Sequence, residues 1–566
     1  MTKEFIKNHR LALTPLAPIH LGLGEEFEPT EYIIDPEEKL LYAFDPSQAS
    51  SLPGGPRQEL LKLAEAGRPE SIHQIYKLIR ENKEHFLPLA HSVIPVSSGV
   101  AQKYQESLGR PVRTEGDLGR IFNSNYIERA ITSADGRPFI PGSGVKGAIR
   151  TAWLEALYQE NPGLAGPLPP PSDNPKDRAW ETFEKDFPQN ILKGDFQTSP
   201  FRLLKIADFM PAPARSVDRK IVFACNYIKV NGLYIMATRK EVILPGQYRL
   251  FQADLTLLEP KEPGLKDQTP PWQPEIKDMA RHCREYYRPR LDKELKLIRE
   301  LGLVNQAWAD RLSDLLAALQ NDFDSGRAFL LRLGRHGDAG TKTVADIKTK
   351  AAAELPRIYI RGSKNKGIPD RFDKETTTIW LAAEREKADR DLLPFGWALV
   401  EIDPDPENAP LNAFCQAESR GRPDLGGLIS KLAEKKARLK EAEAARKTAL
   451  EAEQAREKAR KEAEAAAREA ERKALAALPP EQARLEEFRR RLEIMKPLSH
   501  KDVSAANNIL TEAQAFLETA QAWPEPERQK CAEVLAPLFE AKNILVGKRE
   551  KRLKELLRNL RGQGNG

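Results

Sequence analysis

Residues 431–478 contain no glycine or proline and consist mainly of alanine, glutamate, lysine and arginine. These residue types favour the helical state, and nothing in the run interrupts a helix. At about 1.5 Å per residue, the run predicts a single helix roughly 70 Å long. The composition changes abruptly after Gly427. The chain is therefore predicted to be organised differently on the two sides of that point.

Two environments are compatible with the predicted helix. Its alanines recur mostly three, four or seven residues apart, as they would along a helix–helix seam, although alanine buries little area. Oppositely charged residues four apart, such as Glu457 and Lys461 or Glu469 and Lys473, could instead support an isolated helix. The pattern leaves a coiled coil and a solvated helix both open.

The segment that follows is predicted to be helical throughout. Pro479 and Pro480 end the long helix, and three or four amphipathic helices follow to about residue 560. The last of them, residues 548–561, carries seven basic and two acidic residues. Positive charge is therefore concentrated near the end of the chain.

The first 410 residues mix strands and helices without regular β-α-β alternation, which predicts an α+β fold of two similar units. A hairpin is predicted with its turn beginning at Asp35. Helical patterns cover about 56–87 and 276–320, whereas several prolines predict an irregular insertion over 161–190. Strands are predicted where apolar residues alternate, near residues 10–14, 221–227 and 251–257.

Length and composition narrow the class of protein. A chain of 566 residues is expected to form two to four domains, and its net charge of +6 is too small to specify a partner by itself. Its four cysteines are far apart and its histidines are not clustered, so we expect neither a metal site nor a disulfide scaffold. Neither a signal peptide nor a long apolar run is apparent. We expect a cytoplasmic protein with no cofactor and no membrane contact.

A glycine-rich loop leads into an amphipathic helix over residues 139–154. Gly142, Ser143 and Gly144 leave the backbone free where the helix N–H groups and the positive dipole end would face an anion such as phosphate. Two basic residues four apart would then share one helix face, namely Lys146 and Arg150.

The loop does not match the known nucleotide-binding patterns. Ala148 stands where a P-loop needs lysine after its last glycine. The spacing G-x-G-x-x-G is present, but no parallel β-α-β unit with a later acidic residue surrounds it. Taken alone, the loop favours a structural strand-to-helix turn.

Five motifs give the loop a wider context. They occupy residues 13–24, 140–150, 201–208, 331–337 and 394–397. In this order they resemble the RAMP superfamily of CRISPR proteins, and more closely the fifth subunit of the type III-A Csm effector complex. The match covers about residues 1–405. Residues 411–566 lie outside it.

The resemblance implies two ferredoxin-like (RRM-like) RAMP units with helical insertions, followed here by the long helix and a small all-α bundle. The first RAMP domain is expected at 1–260, with a helical insertion at about 53–120 and the irregular insertion at 161–190. The second RAMP domain is expected at 261–410. A linker at 411–430, the long helix at 431–478 and a helical domain at 481–566 would follow.

The resemblance also implies a function. It is that of a non-catalytic subunit that binds CRISPR RNA (crRNA), caps its 3′ end and aids its maturation in antiviral defence. The implied partners are crRNA, single-stranded target RNA, the other Csm subunits, above all the terminal backbone subunit, and, as a further candidate, host nucleases. The RNA-binding residues would be Gly142, Ser143, Gly144, Lys146, Arg150, Arg120, Arg335 and Lys342.

The alternative function is a RAMP-type endoribonuclease that processes crRNA or cuts target RNA. Metal-independent cleavage needs a general base and a general acid, and histidine is the usual choice near neutral pH. His20, beside two glycines, is the first candidate, and His336 is the second. Asp35 is a further candidate, because backbone subunits of the same complex cut RNA with an aspartate in a comparable early loop. Binding is favoured over cleavage, and a structural role is favoured for each histidine.

For residues 430–566 the hypothesis is docking against a neighbouring subunit, or extension of the RNA groove by the basic last helix. The alternative is a solvated accessory tail.

Overall fold

The computed structural model describes residues 6–47, 54–66, 69–107, 113–114, 121–122, 126–167, 169, 177–213, 215–259, 270–344, 358–360, 371–373, 375–497, 503–545 and 550–562. The chain divides into two compact units, Met1–Leu439 and Lys440–Gly566. No helix among the described residues is long and apolar enough to cross a bilayer.

The described strands are β1 (Ile6–Pro15), β2 (Glu26–Phe27), β3 (Tyr32–Asp35), β4 (Leu40–Ala43), β5 (Ser92–Pro95), β6 (Arg113–Thr114), β7 (Ile121–Phe122), β8 (Ile127–Glu128), β9 (Leu204–Ile206), β10 (Met210–Pro211), β11 (Arg219–Ile228), β12 (Tyr234–Ile243), β13 (Phe251–Leu258), β14 (Ala328–Arg332), β15 (Ile358–Ile360), β16 (Arg371–Asp373), β17 (Thr378–Ala383), β18 (Leu393–Pro394) and β19 (Trp397–Ile402).

The described α-helices are α1 (Gly54–Ala66), α2 (Pro69–Glu81), α3 (Lys83–Phe86), α4 (Ser98–Ser107), α5 (Gly142–Glu160), α6 (Arg178–Leu192), α7 (Ile276–Glu300), α8 (Gln306–Ala318), α9 (Gln320–Asp324), α10 (Ala409–Ser419), α11 (Gly426–Ala476), α12 (Pro480–Ile494), α13 (Val503–Ala520), α14 (Glu525–Ala541) and α15 (Glu550–Leu560).

The central sheet of the first unit joins distant parts of the chain. Its order is β10-β13-β1-β19-β14, with β9 also paired to β13, and every pairing is antiparallel. β1 runs beside β13 from Ile6↔Leu258 to Leu13↔Phe251 and beside β19 from Leu11↔Ile402 to Pro15↔Ala398. β14 and β19 are buried along their whole length, as their nearly continuous apolar sequences predict.

A second sheet has the order β18-β17-β11-β12-β8-β2, and its centre is the long β11–β12 hairpin. A third, three-stranded sheet is formed by β3, β4 and β5. Helices α5 and α7 pack against each other and against β14. One large apolar cluster connects the strands with α5 to α8.

The second unit has a hydrophobic core of its own. Helices α12 to α15 share a buried cluster that includes Phe488, Leu517, Leu535, Phe539 and Leu556. Most of α11 is exposed, including the alanines of the predicted seam. The ion pairs predicted for this helix at Glu457–Lys461 and Glu469–Lys473 are formed at 2.7 and 2.9 Å.

Most of the sequence-based elements are present. The predicted hairpin is β3–β4, in which Asp35 pairs with Leu40. The mixed α/β architecture is confirmed, whereas the arrangement as two ferredoxin-like units and the proposed domain limits stay predictions. The irregular insertion over 161–190 is wrong in its second half, which is helix α6. Asp177 caps α6 by accepting from the amides of Ala179 and Trp180, and an apolar stripe buries one face of the helix.

Candidate functional site

The first glycine loop is a tight junction between a strand-like segment and α5. Ile140 pairs with Phe209, and the amide of Gly142 donates to Asp208 Oδ1 at 2.7 Å. A Cβ atom at Gly142 would lie 2.4 Å from the carbonyl oxygen of Ala207, so only glycine fits there. Close packing therefore explains why residue 142 is glycine. Its N–H group is already hydrogen-bonded to a carboxylate of the same chain.

The rest of the loop is open to solvent. Ser143 and Gly144 are exposed, and no atom of another segment lies within 4 Å of a Cβ built at Gly144. They lie in the first turn of α5, where N–H groups and the positive end of the helix dipole are concentrated. The Gly144 amide donates to the carbonyl oxygen of Pro141 at 3.0 Å. An anion would therefore be bound at the Ser143 amide rather than at those of Gly142 or Gly144.

Two half-buried cations extend this surface along α5. Lys146 Nζ donates to the carbonyl oxygen of Leu204 at 2.7 Å. Within the described part of the chain, the Arg150 side chain has no hydrogen bond or ion pair. Burial and the nearby Lys205 lower the pKa of Lys146, and burial lowers the pKa of Arg150. Because no carboxylate of the described chain pairs with either cation, both would gain from a bound anion.

Lys205 belongs to this surface, although the sequence did not single it out. It is the exposed residue of β9, next to the backbone oxygen that holds Lys146. Its position between the apolar Leu204 and Ile206 of a short strand is the signal that could have identified it.

The second glycine loop follows β14 and presents two more cations. Gly334 has a φ angle of +80°, and a Cβ there would lie 2.3 Å from the carbonyl oxygen of His20. The next amide, that of Arg335, donates to the same oxygen at 2.9 Å. The Arg335 guanidinium pairs with Glu128 at 3.0 Å, yet the side chain is 62% exposed. Lys342 is exposed and its amine donates to the carbonyl oxygen of Gly334 at 2.9 Å.

A polar cluster lies beneath this second loop. His20 is fully buried, and its Nδ1 is 2.8 Å from the carbonyl oxygen of Glu241. Glu128 lies 3.5 Å from His20 Nε2, which is long for a hydrogen bond, and forms ion pairs with Lys240 and Arg335. His20, Lys240 and Arg335 together lower the pKa of Glu128 to about 2. Burial, Lys240 and His20 lower the pKa of His336 to about 3.

Neither His20 nor Asp35 is placed for acid–base chemistry. His20 is buried, so RNA cannot reach its ring without rearrangement. Asp35 Oδ1 accepts from the amides of Glu37 and Glu38 at 3.0 and 3.2 Å, as expected for a residue that opens a turn. Partial burial opposes ionisation of Asp35, but these amides and Lys83 outweigh it and lower the pKa.

The early and late motifs interlock around the second loop. The amides of Leu16 and Ala17 donate to the carbonyl oxygen of Trp397, and the amide of Gly396 donates to that of Pro18. The motifs at 140–150 and 201–208 meet at the first loop. The remaining predicted RNA contact, Arg120, lies outside the described residues.

The sequence model of the RAMP superfamily matches residues 13–304. The chain belongs to the RAMP superfamily. The resemblance indicated by its motifs is thereby confirmed, and both glycine loops are parts of a RAMP protein, the first within the matched range and the second beyond it.

Individual RAMP relatives are similar over shorter stretches. CRISPR system Cms protein Csm5 of Mycobacterium tuberculosis is 25% identical over 163 residues. The protein of the same name from Streptococcus thermophilus is 28% identical over 162 residues. Each alignment covers 28% of this chain and 41% of the relative, so the chain spans less than half the length of these curated relatives.

Two solved structures are also similar to this RAMP chain. One is a chain of the cryo-EM structure of a Csm-crRNA-target RNA ternary complex, with 17% identity, a TM-score of 0.41, and coverage of 70% of this chain and 100% of that chain. The other is the crystal structure of T. onnurineus Csm5, with 15% identity, a TM-score of 0.35, and coverage of 68% and 99%.

Proposed function

We propose that this chain is a non-catalytic crRNA-binding subunit of a type III CRISPR effector complex, which caps the 3′ end of the guide. The observation that carries the proposal is the first glycine loop, where the solvent-exposed first turn of α5 adjoins Lys146 and Arg150, two cations without a carboxylate partner in the described chain. Membership of the RAMP superfamily and similarity to proteins named Csm5 support it.

The geometry suits a phosphate backbone better than a base edge. The loop offers the Ser143 N–H group, the positive end of a helix dipole and point charges, which bind phosphate without distinguishing sequence. Arg335 and Lys342 on the second loop would add contacts of the same kind. RNA binding is therefore expected to be strong at low salt, weak at high salt and nearly independent of sequence.

The decisive variant is Lys146→Ala with Arg150→Ala. We expect its affinity for single-stranded RNA to fall about tenfold or more at low salt, and the slope of log affinity against log salt to fall by about 1.4, since each phosphate contact contributes about 0.7. Lys293→Ala with Lys296→Ala is the matched control. It also removes two charges, but those lysines are exposed on α7 and already paired with Glu375 and Glu300.

If both double variants bind RNA alike while remaining folded, the loop is structural and the proposal fails. The non-catalytic part is tested by incubating RNA with wild type, Asp35→Ala and His20→Ala, with and without divalent metal. We expect no cutting that depends on either residue. Metal-dependent cutting that either substitution abolishes would establish the nuclease instead.

The position at the 3′ end and the partners are tested in the assembled complex. A photocrosslinker at Ser143 is expected to label guide nucleotides near the 3′ end and to leave the 5′ part unlabelled. Guides isolated with the Lys146 and Arg150 variant should be altered at their 3′ ends if the chain aids maturation, for example by limiting host nucleases. Crosslinks confined to the 5′ part would contradict the capping role.

A further inference from the structure

The last described helix, α15, separates its apolar and basic residues cleanly. Its four leucines are buried in the core of the second unit, namely Leu553, Leu556, Leu557 and Leu560. Four exposed cations follow at intervals of three, four and three residues, namely Lys551, Lys554, Arg558 and Arg561. We call these four residues the α15 basic face. The Arg561 amide bonds to the carbonyl oxygen of Leu557 at 3.2 Å, so this residue continues the last turn.

The intervals place the four cations on one side of the helix, since three or four residues correspond to about one turn. They extend over about 15 Å along the axis. Lys554 is paired with Glu550 at 2.5 Å. Within the described residues, Lys551, Arg558 and Arg561 form no side-chain hydrogen bond or ion pair.

The remainder of the unit does not share this charge. Residues 548–561 carry seven basic and two acidic residues, a balance of +5, whereas residues 480–547 carry nine basic and eleven acidic residues, a balance of −2. Helix stability does not explain the pattern either. Arg558 and Arg561 lie at the C-terminal end, where the dipole favours cations, but Lys551 lies in the first turn, where it does not.

We propose that the α15 basic face is a second RNA-binding surface, which contacts the phosphate backbone independently of the glycine loops. The cations are separated by about 5 Å along the axis, so several phosphates of one strand can be contacted together. A membrane surface is disfavoured as the partner, because the leucines that would enter the lipid are already buried in the helical core.

The test uses the full chain carrying Lys551→Ala, Arg558→Ala and Arg561→Ala. Lys447→Ala, Lys458→Ala and Lys473→Ala form the matched control, because they remove the same charge from α11, where each lysine has a carboxylate partner. A third variant with Lys551→Arg, Arg558→Lys and Arg561→Lys keeps the charge. Each is titrated with single-stranded RNA and with duplex RNA over a range of salt, in the wild-type and the Lys146→Ala, Arg150→Ala backgrounds.

We expect the alanine variant to bind single-stranded RNA about tenfold or more weakly than its control and to lower the salt slope by about 2, as expected for three lost phosphate contacts. The charge-preserving variant should bind like wild type. The same loss of affinity is expected in both backgrounds. RNA binding by the α15 basic face is therefore tested independently of RNA binding by the first glycine loop. Equal affinity of the alanine variant and its control for both RNAs would overturn the proposal. A loss confined to duplex RNA would overturn the assignment to a single strand.

Discussion

At the scale of single residues, Gly142 and Gly147 have opposite requirements although they lie only five positions apart in the same helix. A Cβ at Gly142 would lie 2.4 and 2.5 Å from the carbonyl oxygens of Ala207 and Ile206, whereas a Cβ at Gly147 would meet nothing within 4 Å. Backbone oxygens cannot rotate away as a side chain can. The first position must therefore stay glycine, and the second is free.

Gly142→Ala is expected to destabilise the first unit by about 1–3 kcal/mol, as overpacking typically does. Gly147→Ala is the control, and we expect it to stabilise α5 by up to about 1 kcal/mol because alanine favours the helix. Urea denaturation of both variants measures the difference. Equal stabilities would mean that the close approach of the loop to the segment after β9 is not maintained in solution.

The sequence identified the loop residues but not their partners. The glycine-rich turn and the shared helix face of Lys146 and Arg150 depend only on local geometry. Both could therefore be predicted from the spacing of these residues in the sequence. The Asp208 carboxylate that binds the Gly142 amide is 66 residues away, and the carbonyl oxygen that requires Gly334 belongs to His20. Contacts of this kind follow from the tertiary fold, so a single sequence cannot supply them.

At the scale of elements, α11 shows how far composition alone can predict structure. The helix predicted over 431–478 is present as Gly426–Ala476, and its alanines are exposed within the described chain. Helix α6 was missed because the prolines of residues 162–171 dominated the local pattern, although the Asp177 cap and the stripe of Trp180, Phe183 and Phe187 follow them. To predict a short helix beside a proline cluster from sequence, one must first recognise its N-cap residue.

A peptide covering residues 440–476 is expected to be helical in water, with a helicity that does not depend on peptide concentration. Ion pairs four residues apart contribute about 0.3–0.5 kcal/mol each, so added salt should lower the helicity. Circular dichroism measures both effects. Exchanging Glu469 and Lys473 keeps the composition but reverses the favourable order of the pair, and should lower the helicity. A rise in helicity with concentration would indicate a coiled coil.

At the scale of the whole molecule, the arrangement of the sheets was the least predictable feature. β1 lies between β13 and β19, so one sheet contains both the first and the last described strand of the first unit. Alternating apolar residues predict that a segment forms a strand, but they do not indicate which other strand it pairs with. The mixed α/β class could be predicted, whereas the strand order required the structure.

The two hydrophobic cores predict two separate unfolding transitions. Leu535 is buried in the cluster of α12 to α15, and Leu399 is buried in β19. Replacing either leucine by alanine should cost about 2–5 kcal/mol in its own unit, because each change leaves a cavity in a packed core. Leu535→Ala should lower only the transition of the second unit, and Leu399→Ala only that of the first. Calorimetry with hydrogen exchange assigns each transition to its helices or strands. If either variant shifts both transitions equally, the two units unfold as one cooperative structure.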